Sequence, residues 1–362
     1  MDYKGRLRRL QGELESAKLD ALLVTHLPNI YYLCGFSGSA GVLLVTASKS
    51  VFITDGRYDE QAHTEVQGSR ILISRKSPFL TAAKSAKSIY SRKGRVRLGF
   101  EAEHFVVAQR TRLYECLGPQ FQLKEAQPLV EKLRIVKDDE EIQRLREAAM
   151  VGCGLFDTAL KKIGAGVKEV EVAAEMEHSA RRAGAQQMSF STIIASGPRS
   201  ALPHGRATEA RIPASGFVVC DFGVILTGYC SDMTRTVFVG GATSEERQAY
   251  EAVRESQAAA VRAVRPGVSV AQVDRAARMS LKKSGLDRFF THSTGHGVGI
   301  EIHEAPRVAR GATDVLRPGM VITIEPGVYV PGKFGVRIED MVVVTEKGCE
   351  ILTPTGRELT SI

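Results

Sequence analysis

Apolar positions along the first 130 residues fall into short runs separated by helix-compatible stretches. Ala21-Leu22-Leu23-Val24 is an uninterrupted apolar run, as a strand buried on both faces requires. Residues 42–45 and 51–53 flank the polar Ala47-Ser48-Lys49-Ser50, which predicts a hairpin. Residues 71–73 and 96–100 add two strands, with a helical segment over 80–92 between them. This alternation predicts an α/β domain over residues 1–133, built as a mixed sheet with helices.

Near residue 134 the pattern changes. Asp138-Asp139-Glu140-Glu141 supplies an acidic first turn, which a helix N-terminus favours. Ile142, Leu145, Ala149, Phe156 and Leu160 follow at helical spacing. One helix therefore runs from about 138 to Gly164-Ala165-Gly166, and a second from about 168 to Gly184. A hairpin follows: residues 217–224, a turn at Leu226-Thr227-Gly228, then residues 229–239. Thr243 with Glu246 forms the capping box of a third helix ending at Pro266-Gly267, and Ser269 with Gln272 caps a fourth ending at Gly285. The second hairpin covers 320–330 and 335–345 around Pro331-Gly332-Lys333. The order ααββ thus occurs twice. It predicts an α+β domain over 134–362 with a pseudo-two-fold ααββ repeat, its two hairpins meeting in one curved sheet.

Buried strands should not carry carboxylates, because an unpaired buried charge is costly. Each of these four strands carries one: Asp221, Asp232, Glu325 and Glu339. Asp221 and Asp232 are equidistant from the first turn, and Glu325 and Glu339 from the second. Equidistant residues of an antiparallel hairpin face each other with Cβ atoms roughly 4.5–5.5 Å apart. Two facing pairs of like charge call for cations between them, most naturally two divalent metals roughly 3.5–4 Å apart. The neutral ligand is expected in Thr291-His292-Ser293-Thr294-Gly295-His296-Gly297-Val298-Gly299. No HExxH motif is present, and three alternate glycines disfavour a helix there. His296 is therefore expected on a tight Gly-rich strand or loop. Hard oxygens with one imidazole suit Mn²⁺ first, with Co²⁺ or Zn²⁺ as alternatives.

Other polar residues surround this set. His204, in Leu202-Pro203-His204-Gly205, and His303, in Glu301-Ile302-His303-Glu304, are expected to donate to a developing oxyanion beside the metals. Arg337 shares a strand face with Glu339 and is expected to orient a ligand carboxylate through a bidentate pair of hydrogen bonds. The Gly-x-Gly patterns do not follow a strand and open a helix, which excludes a dinucleotide site.

Composition narrows the class. With 43% hydrophobic and 25% charged residues, the chain reads as a soluble globular protein. It has no apolar run near the roughly 18 residues a membrane helix needs, and its charged N-terminus resembles no secretory signal. Six cysteines without a CxxC motif read as reduced thiols of a cytoplasmic protein. The net charge of +8 resides in the first 135 residues, and the stretch 66–100 has nine basic side chains and no acidic one. Such a stripe can contact nucleic acid. No aromatic string or zinc finger accompanies it, so a solvated surface is preferred and no nucleic-acid partner is expected.

The motifs around Asp221, Asp232, the Gly-His296-Gly-Val-Gly segment, Ile-Glu325-Pro-Gly and Arg-Ile-Glu339-Asp resemble those of the pita-bread dinuclear metallopeptidases. The branch they resemble most is that of the Xaa-Pro aminopeptidases and prolidases. Gly35-Phe36-Ser37-Gly38-Ser39-Ala40-Gly41 and Thr54-Asp55-Gly56-Arg57-Tyr58 are similar to segments of the creatinase-type N-terminal domain. Methionine aminopeptidases share the five ligands but usually lack that domain, and commonly have Gln where Arg337 stands. The resemblance implies a homodimer acting on peptides with an Xaa-Pro N-terminus. It implies two metals held by Asp221, Asp232, His296, Glu325 and Glu339, with Glu325 also moving the proton and His292 lining the pocket. With no clamp for a substrate C-terminal carboxylate identifiable, a Xaa-Pro aminopeptidase is expected. A Xaa-Pro dipeptidase is the alternative, and a non-catalytic or nucleic-acid-binding relative is the alternative from another class.

Overall fold

In the computed structural model, which describes residues 1–362, the chain forms two units, Met1–Arg134 and Ile135–Ile362. The first unit is built on a six-stranded sheet. Its strands are β1 (Ala21–Val24), β2 (Val42–Thr46), β3 (Ser50–Asp55), β4 (Arg70–Ser74), β5 (Val96–Glu101) and β6 (Phe121–Ala126). They lie in the order β4-β3-β2-β1-β5-β6. The sheet is mixed: β1 runs parallel to β5 and antiparallel to β2. Both β1 and β2 are buried throughout, which is why they read as continuous apolar runs. The basic side chains Arg70, Arg75, Lys76, Lys84, Lys87, Arg92, Lys93 and Arg95 are all exposed, and Lys93 pairs with Asp20 at 2.7 Å.

The second unit contains two halves of similar plan. Helices Asp139–Lys162 and Glu169–Arg182 pack on the first hairpin, and helices Ser244–Ala263 and Val270–Lys283 on the second. Capping boxes open three of the four helices, at Asp138/Glu141, Thr243/Glu246 and Ser269/Gln272. Each such cap stabilises its helix by about 1 kcal/mol. The ααββ order holds, and each half adds strands to it. Ile193–Ser196 pairs with Gly216–Phe222, while Gly295–Gly297 sits between Glu304–Val308 and Val321–Ile324. No helix of the structure is long and apolar enough to cross a membrane.

The two hairpins treat the expected registers differently. In the second, Ile324 faces Asp340 and Gly327 faces Arg337, so Glu325 and Glu339 occupy matching positions at a break in both strands. Pro326 helps to make that break, since it has no N–H for the ladder. In the first hairpin, Asp221 faces Thr234 rather than Asp232. The turn is the two-residue Thr227-Gly228, with φ of 48° and 80°, and not a three-residue turn beginning at Leu226. The correction is a slip of two positions. Because side chains alternate with period two, Asp232 stays on the expected face, one diagonal step from Asp221.

The halves join where these carboxylates stand. The Glu339 N–H donates to the Thr234 carbonyl (3.1 Å), and Thr236 Oγ1 donates to the Arg337 carbonyl (2.8 Å). Neighbouring acids then serve opposite faces. Glu339 points to the site, whereas Asp340 binds the buried Arg235 and Gln257 and the half-buried Arg357 on the other side.

Candidate metal centre

Asp221, Asp232, His296, Glu325 and Glu339 line one cavity of about 650 Å³, together with His204, His292, His303 and Arg337. Ligand atoms of Asp232, His296 and Glu339 lie within 4.8 Å of one another. His296 Nε2 stands 3.5 Å from Asp232 Oδ2 and 3.6 Å from Glu325 Oε1. Two atoms each roughly 2.1 Å from a shared cation, at a tetrahedral or wider angle, are separated by about that distance.

Glycines make this geometry accessible. A β-carbon at Gly295 would run into the Thr323 carbonyl, and one at Gly297 into the Ala305 carbonyl. Only glycines at both positions let the short strand wedge between its neighbours and present His296. The Nδ1 of His296 donates to the Gly297 carbonyl at 2.9 Å, leaving the Nε2 lone pair facing the carboxylates. Burial pushes the imidazole down to about 4, so it is neutral at pH 7, as a metal ligand must be.

The carboxylates bear the opposite strain. Burial, then the charges of Glu339, Asp221 and Glu325, push Asp232 well above the usual carboxylate range. Burial and the charges of Glu325 and Asp221 do the same to Glu339. Glu325 is pushed up to about 7, chiefly by burial, with Arg337 acting against it. A divalent cation relieves this crowding in the ionised form. Oδ1 of Asp221 is buried and has no hydrogen-bond partner, the condition of a carboxylate oxygen that awaits a cation. These residues fit divalent metal.

Arg337 is fully engaged. Its Nη2 donates to Asp221 Oδ2, its Nε to Thr234 Oγ1 (3.1 Å) and its Nη1 to both the Pro203 carbonyl (3.0 Å) and Tyr329. It therefore holds the Asp221 carboxylate through one oxygen, and not through the bidentate pair expected. Thr234 Oγ1 in turn donates to Glu339 Oε2 at 2.6 Å, so one arginine organises residues of both hairpins.

The histidines divide in two. His292 Nδ1 donates to the Ser293 carbonyl (2.8 Å), and its Nε2 accepts from the Tyr329 hydroxyl (3.0 Å), so both ring nitrogens are occupied. Burial and the Arg337 charge push it down to about 4. His303 packs edge-on against His296 with ring centroids 4.5 Å apart. Burial and the nearby His204 lower its pKa. His204 and His303 are both exposed on the cavity wall.

Tyr329, Glu304, Arg206 and Arg307 were not foreseen from the sequence. Tyr329 had a readable signal, since residues 325, 327 and 329 alternate onto one strand face. Glu304 forms a buried ion pair with Lys137 at 3.0 Å. Arg206 and Arg307 line the cavity with no side-chain hydrogen bond or ion pair. The Arg307 Cα faces that of His296 across the strands, which puts the two side chains on one face.

Residues 6–136 match the creatinase/prolidase N-terminal domain, and residues 143–346 match metallopeptidase family M24. A Xaa-Pro dipeptidase of Pyrococcus horikoshii is 36% identical over 359 residues, covering 98% of each chain. A solved Xaa-Pro dipeptidase from Bacillus anthracis is similar at a TM-score of 0.95 and 39% identity over the whole of both chains. An X-Pro aminopeptidase from Thermotoga maritima is similar at 0.89 and 33% identity, over 97% of this chain and 100% of that one. A carboxylate–imidazole centre between two pseudo-symmetric hairpins, in a chain that also carries an N-terminal domain of this type, belongs with these enzymes: the chain is a member of metallopeptidase family M24, with the pita-bread fold.

Proposed function

We propose that the protein is a Xaa-Pro dipeptidase, a prolidase, and not the longer-peptide aminopeptidase that the sequence first suggests. That first preference rested on the lack of a clamp for a substrate carboxylate. The observation that carries the revised reading is Arg307, a free guanidinium on the cavity wall, on the same face as His296. A dipeptide ends in a carboxylate within reach of the scissile bond, and a guanidinium is suited to hold it. Arg206 adds a second free cation on the same wall. Two of the three relatives described above are Xaa-Pro dipeptidases, which favours the same choice.

Asp221, Asp232, His296, Glu325 and Glu339 would hold two divalent ions, Mn²⁺ by the donor set, whose chemistry when bound is to acidify a water and polarise the scissile carbonyl. Glu325 would take the proton of the attacking water and pass it to the leaving proline nitrogen. His204 and His303 would donate to the carbonyl oxygen as charge develops on it. Arg337 would hold Asp221 in place, and His292 would act through Tyr329 rather than on the substrate. A homodimer in the cytoplasm completes the proposal, and six unpaired cysteines support a reducing compartment.

The test is hydrolysis of Met-Pro, Met-Pro-Ala and Met-Pro-amide by the manganese-loaded enzyme, with Met-Ala-Ser as contrast. Cleavage of Met-Pro far faster than of the other peptides is expected. Equal or faster cleavage of Met-Pro-Ala would make the enzyme an aminopeptidase.

A further inference from the structure

Glu169 is fully buried, lies outside the metal centre and spends its whole carboxylate on one loop. It opens the helix Glu169–Arg182. Its Oε1 accepts from the Ser196 N–H (2.9 Å), the Ser196 hydroxyl (2.9 Å) and Arg199 Nε (3.2 Å). Its Oε2 accepts from the Thr208 N–H (3.1 Å), the Thr208 hydroxyl (2.9 Å) and the same Arg199 Nε (3.1 Å). Arg199 Nη2 reaches on to the Arg206 carbonyl at 2.8 Å.

Ser196 and Thr208 bracket the segment that carries Pro203-His204-Gly205-Arg206 into the cavity wall. Beyond the short turn Gly197–Ala201, no helix or strand holds that segment. Both its ends are tied to one carboxylate, and its middle is tied to the metal centre, where Arg337 Nη1 donates to the Pro203 carbonyl. Hydrogen bonds to an ionised acceptor are the strong class, and here none is left over for the rest of the fold. Satisfying a buried carboxylate would take fewer donors, from anywhere nearby. Their convergence from the two ends of one loop is what a fixed loop geometry requires.

We infer that Glu169 is a positioning residue, which holds the 196–208 loop so that His204 and Arg206 face the substrate. The inference rests on the proposed peptidase reading, in which His204 touches the substrate.

The test is a double-mutant cycle of Glu169→Gln with His204→Ala, read as kcat/KM on Met-Pro with metal saturating. In the wild-type background, Glu169→Gln should cost about 10²-fold, the usual effect of a reacting group displaced by an ångström. In the His204→Ala background the further loss should be clearly smaller, leaving only the part carried through Arg206, while metal content stays unchanged. A loss equal within about twofold in both backgrounds would mean independent effects and would overturn the inference. So would loss of bound metal. Thr208→Val removes one donor and keeps the backbone bond, and it carries the same cycle if Glu169→Gln does not fold. Hydrogen exchange supplies a readout free of substrate. Faster exchange confined to 197–208 supports positioning, and uniformly faster exchange of the whole unit refutes it. If the wild-type enzyme cleaved no Xaa-Pro peptide, the proposed function would fall and exchange would still decide the role of Glu169.

Discussion

Arg337 donates to Oδ2 of Asp221 and leaves Oδ1 of the same carboxylate buried with no donor. A guanidinium that grips one oxygen fixes the direction in which the other must find its charge. That direction is the cavity shared with Asp232, Glu325 and Glu339. Added Mn²⁺ should therefore stabilise the protein strongly, by about 2.7 kcal/mol once free metal reaches a hundredfold excess over its dissociation constant. Asp221→Asn should remove one ion per chain and much of that gain. Metal content by atomic emission and melting temperature against added Mn²⁺ check both.

The pH dependence of the metal-free protein carries a second prediction. Glu325 is held near 7 in the folded protein against an ordinary 4.5. A carboxyl raised on folding contributes fully below its unfolded value, and that contribution is lost as pH rises through about 7. His292 and His296, held down to about 4, act in the opposite sense. They contribute above 6.5 and lose that contribution as pH falls towards 4. Comparison with Glu325→Gln isolates the carboxyl. The metal-free variant should melt with the wild type near pH 4.5 and increasingly above it from pH 6 to 8. A difference that shrinks with rising pH would contradict this sign.

How much of the centre was legible depended on the local backbone. Glu325 and Glu339 were readable as a pair because the second turn is centred on Gly332, which adopts the positive φ that glycine permits (72°). Asp221 and Asp232 were displaced by two positions because Thr227, a β-branched residue, takes a positive φ that few such residues adopt. Nothing in its identity announces a two-residue turn. His296 was legible through its glycines, which mark backbones in close approach. Arg307 was not. Its strand, Glu304–Val308, lies at a sheet edge, carries a proline and lacks apolar alternation, so no pattern marked it as a strand or showed which way its side chains face.

The ion pair of Lys137 and Glu304 yields a stability prediction. Both side chains are almost wholly buried, at 1% and 6% exposure, and Glu304 also accepts from the Glu301 N–H at 3.1 Å beside His303. Removing the ammonium takes the Lys137 charge away from a buried carboxylate. Lys137→Met should destabilise the protein by about 3–5 kcal/mol, measured by urea unfolding. Adding Glu304→Gln should recover a substantial part, because the buried negative charge disappears with it. If the double variant is no more stable than Lys137→Met, charge burial is not the cause.

Arg307 offers the sharpest mutational test of substrate class. Its guanidinium has no protein partner, and its strand position places it on the same face as His296. If it receives the C-terminal carboxylate of a dipeptide, it contributes to binding more than to bond breaking. Arg307→Leu should then raise KM for Met-Pro about 10- to 100-fold, the worth of one charged hydrogen-bonding pair, and leave kcat within a few-fold. Met-Pro-amide, which has no carboxylate to lose, should be cleaved equally slowly by variant and wild type. Arg206→Leu is the parallel arm, since either cation can reach a ligand in the same cavity. An unchanged KM in both variants would remove the physical basis for choosing a dipeptidase. A fall in kcat alone would move Arg307 from substrate binding to support of the metal centre.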